Sequence, residues 1–275
     1  MLFVMRDTII NILDMTAWRM DAPQLFGGFH IVAALITAAA AVYMAALLAR
    51  RVRGADKPFE KLVRILMITG WVLFALEVYK QLFLYYVVNN EAYDWWFFPF
   101  QLCSVPMYLC ILLPVMVPST QKIFLTFMGG YTFVSAAATL IYPEDILRSY
   151  TALTLHGFIW HGLLLFISLL ILLTGRADPS ARGLKKAAIL FAIMCVFAVM
   201  INVIAEPIMQ NASGLAHSYA SMFYLNPYHI SPQPVVSAVQ KTAGIPAGLL
   251  LYSLAIIAVS SLVIRLRQAL QEGSH

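Results

Sequence analysis

The sequence predicts an all-α fold, a polytopic bundle of seven membrane helices with an N-terminal amphipathic segment. Three observations predict it. Hydrophobic residues make up 61% of the 275 residues and charged residues only 11%. Soluble domains run at about 45–50% and about 25%, so these few charges cannot cover a soluble fold of this size. Seven apolar stretches approach the roughly 20 residues that one crossing requires. The charge of the connections alternates along the chain, as the positive-inside rule expects. Disorder is excluded because it needs low hydrophobicity and high net charge, and neither a collagen nor a coiled-coil period is present.

The predicted crossings cover 28–50, 62–88, 97–118, 122–142, 150–174, 185–209 and 243–266 within a single transmembrane domain, 1–275. Ahead of them, 7–20 carries Ile9, Ile10, Leu13, Ala17 and Met20. That spacing suits an interfacial helix on the membrane surface, or equally a segment packed on the bundle. No cleavable signal peptide is expected, because Arg6 and Asp7 interrupt the first apolar run. The 1–2 connection holds Arg50, Arg51, Arg53, Lys57, Lys61 and Arg64, and the 5–6 connection holds Arg176, Arg182, Lys185 and Lys186. The opposite side carries Glu91, Asp94, Glu144 and Asp145 with Arg148. This asymmetry predicts a multi-pass protein of the cell (inner) membrane, N-terminus outside and C-terminus cytoplasmic.

The net charge of +5 is thus explained by membrane topology, and no nucleic-acid partner is expected. Cys103, Cys110 and Cys195 all sit in apolar stretches, which argues against a disulfide framework. No Walker loop, GxGxxG, HExxH or CxxC motif occurs, and neither a cofactor nor a metal is expected. His156 and His161 lie five residues apart and point in different directions on a helix, unlike a chelating pair.

Ionisable residues inside a membrane are expensive and usually face the bundle interior. Here they are His30, Glu77, Lys80, Gln81, Gln101, Cys103, Ser104, His156, His161, Asn202 and Glu206, counting the polar neighbours with them. Crossings 1, 3 and 5 carry theirs near the start, and crossings 2 and 6 near the end. All five therefore place polar groups at one level, predicting a polar pocket near the outer surface. The connection 209–242 opens on that side, with Asn226 and His229 in its Asn-Pro-Tyr-His segment. It reads as a lid over a site, or as a structural cap. A thiol in this layer becomes a nucleophile when a base or positive charge lowers its pKa. Cys103 is the cysteine at that level, His156 or His161 are candidate bases, and Gln101, Asn202 or Lys80 are candidate oxyanion donors.

The segment Pro99-Phe100-Gln101-Leu102-Cys103-Ser104 resembles the Pro-Leu-His-Leu-Cys segment of the YwaF family of bacterial integral membrane proteins. Phe29-His30, Glu77 with Lys80, His156, Ser221-Met222-Phe223-Tyr224-Leu225 and Gly244-Ile245-Pro246 resemble further short motifs of that family. Gln101 stands where the family has histidine, and Ala220 or Ser221 where it has asparagine. The family is grouped with a eukaryotic membrane family that includes an ether-phospholipid acyltransferase. The resemblance implies Cys103 as nucleophile and His156 as its partner. The expected function is an intramembrane lipid acyltransferase or hydrolase acting on membrane lipids near the outer leaflet. The alternatives are a non-catalytic ligand-binding or transport subunit, and a structural or sensory membrane protein.

Overall fold

The computed structural model describes residues 2–211 and 214–272. The terminal Gly273-Ser274-His275 lie outside the described residues. The described residues are helical throughout apart from connections and one isolated β-bridge. Helix α1 spans Leu2–Asp14, α2 Gly28–Arg53, α3 Pro58–Phe83, α4 Val105–Leu112, α5 Pro118–Phe127, α6 Phe133–Ile141, α7 Thr151–Leu173, α8 Ala181–Gln210, α9 Pro234–Ala243 and α10 Ile245–Glu272. A π-helical turn, Leu84–Val88, extends α3, and another, Met128–Thr132, joins α5 to α6 into one rod. Six helical stretches are long and apolar enough to cross a membrane, and Val105–Val115 is a shorter apolar one.

That short helix corrects the third expected crossing. Its 11 residues reach about 16 Å at 1.5 Å per residue, roughly half a hydrocarbon core. The remainder, up to Ser104, is irregular chain punctuated by Pro99 and a turn at Gln101–Ser104. Gln101, Cys103 and Ser104 therefore stand on a turn leading into α4 and not on a helix. Non-helical backbone at membrane depth is tolerated where protein surrounds it or a cavity receives it, and both conditions hold here.

Helix α7 is the axis of the bundle. It is apolar all round and largely buried, which is the pattern of a helix enclosed by others. Helices α2, α8 and α10 instead turn apolar side chains outward, among them Leu35, Val196 and Leu250, so the excess hydrophobicity of the sequence is spent on lipid-facing surface. Close approaches lock α4 and α10 in place. A Cβ on Gly70 would sit 2.8 Å from Cβ of Cys110, and one on Gly130 2.7 Å from the carbonyl oxygen of Ser260, so glycine lets these helices touch.

Contacts fix which helix ends share a face. Arg53 donates to the Leu173 carbonyl at 2.7 Å and Lys122 pairs with Asp178 at 3.0 Å, gathering the basic connections at one end. At the other end, the His30 imidazole bridges the Phe26 amide and the Leu140 carbonyl. Helix α1 also packs at this end through Leu13, buried with Phe83, Leu84 and Leu153. Of the two expectations for the N-terminal segment, docking on the bundle accounts for Leu13, while Met15 and Trp18 stay exposed beyond the helix.

Candidate functional site

The polar end holds a cavity of about 520 Å³, within the range of small-molecule sites. The π turn after α3, the turn before α4, α6, α7, α10 and the 6–7 connection all contribute to its wall. Lys80, Gln101, Cys103, Ser104, His156 and His161 line it. The remaining predicted pocket residues do not, and each has a different task.

Glu77 lies behind Lys80. Its Oε1 accepts from Lys80 Nζ at 2.9 Å and from Gln81 Nε2 at 2.7 Å. Gln81 also donates to the Phe97 carbonyl at 2.6 Å. The pair thus fixes a lysine ammonium in the wall, 5.8 Å from the centre of the Trp160 ring. Asn202 and Gln101 hold the 6–7 connection. Asn202 Oδ1 accepts from the Met222 amide at 2.6 Å and its Nδ2 donates to the Met222 carbonyl at 3.2 Å. Gln101 Nε2 donates to the Ser221 carbonyl at 3.1 Å and its Oε1 accepts from the Phe223 amide at 2.9 Å. Two side-chain amides, one from the turn before α4 and one from α8, therefore clamp three consecutive residues. The clamped chain needs holding, because Phe223 and Tyr224 adopt positive φ of 55° and 57°, a region that costs ordinary residues about 1–2 kcal/mol each. One amide N–H of each is thus given to backbone; Gln101, in the cavity wall, keeps a second N–H, whereas Asn202 does not line the cavity.

Glu206, Asn226 and His229 complete the fastening. His229 Nε2 lies 2.7 Å from Glu206 Oε1, and the His229 ring stacks on Tyr219 at 4.2 Å. Buried Asn226 donates to the Ala220 carbonyl and accepts from the Tyr228 and His229 amides. Asn226 and His229 thus stabilise the covering segment without facing the cavity. The residues of that segment that do face it include His217, Tyr219, Phe223 and Tyr224.

The two cavity histidines are tautomerically defined. A carbonyl oxygen only accepts, so His156 Nε2, 3.1 Å from the Leu76 carbonyl, carries hydrogen, and Nδ1 is left as the acceptor. His161 Nδ1 donates to the Gly157 carbonyl at 2.8 Å, leaving Nε2 bare. Each imidazole is oriented by backbone and keeps one basic nitrogen. Trp160, stacked on His156 at 5.6 Å, donates to the Cys103 carbonyl at 3.2 Å and so positions the turn. The Cys103 thiol makes no hydrogen bond among the described residues. Cys110 is buried against Gly70 with its sulfur 3.5 Å from Met128 Sδ, and Cys195 lies on α8 outside the cavity.

Sequence reasoning missed several wall residues outside the helices. Asp145 accepts from the Tyr224 hydroxyl. Buried Asp94 accepts from the Trp96 amide at 3.0 Å and pairs with His217 at 2.7 Å, whose ring stacks on Trp96 at 4.5 Å. Arg148 lies over Phe97. These sit in connections, where no helical period places a side chain; the only signal was the charge of the 4–5 turn, which the topology argument absorbed.

The model of the TMEM164 family matches residues 25–264, from the start of α2 into α10. The chain belongs to the TMEM164 family. It is thus a multi-pass membrane protein of that family, and the match takes in every cavity residue named above. Comparison with curated proteins and with solved structures gives no match.

Proposed function

We propose that this TMEM164-family chain is an intramembrane lipid acyltransferase or hydrolase that works through Cys103. The observation that carries the reading is the meeting, in one partly apolar cavity, of the Cys103 thiol with two imidazoles, each holding a bare nitrogen. The likeness to YwaF proteins, and through them to an ether-phospholipid acyltransferase family, supports the choice of Cys103 and His156.

In this reading the thiol proton passes to His156 Nδ1, and sulfur attacks the ester carbonyl of a lipid. The carbon–oxygen bond breaks, the departing alcohol takes the proton back, and the acyl group is held as a thioester. A lipid hydroxyl or water then attacks the thioester and releases the thiol. Lys80 and the second N–H of Gln101, both in the cavity wall, are the donors for the oxyanion. The reading sets the cavity toward the outer leaflet of the cell membrane with the C-terminus in the cytoplasm. Labelling of cysteines introduced into the 1–2 connection from the cytoplasmic side alone is the result that fits.

The test is mass spectrometry of the protein incubated with phospholipid. A hydroxylamine-labile acyl adduct on Cys103, lost in Cys103→Ser and reduced at least tenfold in His156→Ala, is expected. No adduct on any cysteine, with lipid turnover unchanged in Cys103→Ser, overturns the reading. One observation favours a second reading, a non-catalytic lipid- or ligand-binding subunit: neither imidazole hydrogen-bonds the thiol.

A further inference from the structure

A second cavity, of about 870 Å³, adjoins the first. The two share Leu84, Phe97, Arg148, Leu153 and Ala216 as a common wall. The second is lined further by Arg19. Its shape follows from a short antiparallel pairing of the chain after α1 with the chain before α7. The Met20 amide donates to the Ser149 carbonyl at 3.0 Å and the Thr151 amide to the Trp18 carbonyl at 3.0 Å. This pairing sets Arg19 across from Tyr150, whose hydroxyl accepts from Arg19 Nε at 3.1 Å, in the wall of the cavity that Arg148 also lines.

Arg148 is the unexplained charge of this region. Its guanidinium rests 4.8 Å from the centre of the Phe97 ring, and makes no hydrogen bond or ion pair among the described residues. Its backbone is anchored independently, by reciprocal bonds with Thr154 Oγ1. The nearby acids are otherwise occupied. Asp145 accepts from Tyr224, and Asp94 accepts from Trp96 and His217. Asp21 and Glu144, also in the two walls, are exposed. The other cavity cation, Lys80, has its own carboxylate in Glu77. The charges of Asp145 and Asp94 favour the charged form of Arg148, but neither takes its hydrogens; a partly buried guanidinium with unpaired donors is costly, and its fork of donors matches phosphate oxygens in pairs.

We propose that Arg148, assisted by Arg19, forms an anion site for the phosphate of an amphiphile whose apolar part occupies the adjoining Cys103 cavity. The inference rests on the reading above only in taking a lipid as the occupant; it needs no chemistry at Cys103. The arrangement orders the ligand. The phosphate lies at the shared wall, the chain lies along Phe97 and Leu153, and the ester region falls toward the thiol.

The experiment uses the full chain purified in a neutral detergent, titrated by microscale thermophoresis. The probes are a short-chain diacyl phosphatidylglycerol below its micelle threshold, the matching diacylglycerol, and inorganic phosphate. Saturable binding of the phosphatidylglycerol is expected, with the diacylglycerol weaker by about tenfold or more, as loss of charged hydrogen bonds implies. Arg148→Gln should weaken the charged probe by a similar factor, Arg19→Gln by less, and Arg148→Lys, which keeps the charge and guards against misfolding, by an intermediate amount. Inorganic phosphate that binds as tightly as the lipid, and is lost in Arg148→Gln, would support the anion site while making free phosphate its ligand. Equal binding of all three probes, no binding at all, or unaltered binding in both Arg148 variants overturns the proposal. Cys103→Ser should bind the charged probe normally. Absence of any acyl adduct on Cys103 of the wild-type protein, with phosphatidylglycerol binding intact, would defeat the catalytic reading alone.

Discussion

Glu77 and Glu206 look alike in the sequence and in the bond that each makes along its helix. Each sits near the polar end of a membrane helix with glutamine four residues later, and each accepts from that glutamine through Oε1, at 2.7 and 2.9 Å. In each, Oε2 is buried and finds no hydrogen-bond partner among the described residues. They differ in the cation. Glu77 takes Lys80 from its own helix, one turn on, and so equips the cavity wall. Glu206 takes His229 from the covering segment and so fastens one part of the chain to another. Polar residues at one depth thus separate into those that equip a cavity and those that hold its cover. Helical spacing reveals depth and face, but the partner across space decides the role.

Removing the carboxylates one at a time should break the symmetry. Glu77→Ala strands a lysine whose side chain is only 21% exposed, and loss of one partner of a buried pair costs about 3–5 kcal/mol. Glu206→Ala leaves His229, 35% exposed and within reach of water, so its cost should be nearer 1 kcal/mol. Thermal unfolding of both variants in the same detergent checks the order. Equal losses would mean that the two pairs serve one purpose.

The cover itself provides the next contrast. Asn202→Ala and Gln101→Ala each strip two hydrogen bonds from the backbone of Ser221–Phe223. Unpaired buried groups cost about 1–3 kcal/mol, and the strained φ values of Phe223 and Tyr224 add to the tendency to open. Hydrogen exchange at the Met222 amide should accelerate about tenfold or more in Asn202→Ala, and at the Phe223 amide in Gln101→Ala. Exchange that stays at the wild-type rate would show that the segment is held by its packing alone.

Much of this organisation was legible in the sequence. Apolar length located six of the crossings to within a few residues, because a membrane leaves the backbone little choice but helix. The common depth of Lys80, Cys103, His156 and His161 followed from 1.5 Å per residue and alternating direction, and the cavity gathers these four. The break ahead of α4 was hidden, because an apolar run containing Pro99 and Pro106 reads as one span by composition. So was the distinction between wall and clamp, since Gln101 and Asn202 find backbone partners 120 and 20 residues away. Arg148 and His217 lie on connections, where position comes from packing and strand-like pairing and not from a period.

Tyr224 belongs to both groups and gives the finest test of the division between them. It is part of the clamped segment, lines the cavity, and donates its hydroxyl hydrogen to Asp145. Burial first, and the Asp145 charge second, push its phenol well above the usual value of 10. A proton is thus bound more tightly in the folded state than in the unfolded one. The resulting stability is complete below about pH 10 and is lost as pH rises further, through the folded value. Neutral pH leaves the interaction intact, so the effect there is nil and the readout must be spectroscopic. Tyrosinate absorbance of the native protein, followed from pH 9 to 11, should be the same in wild type and Tyr224→Phe, because the wild-type phenol stays protonated throughout. In Asn202→Ala, where the cover opens more readily, solvent reaches this phenol and its absorbance should appear in that range. If wild type already shows the extra tyrosinate, Tyr224 is solvated, and the clamp does not seal the cavity.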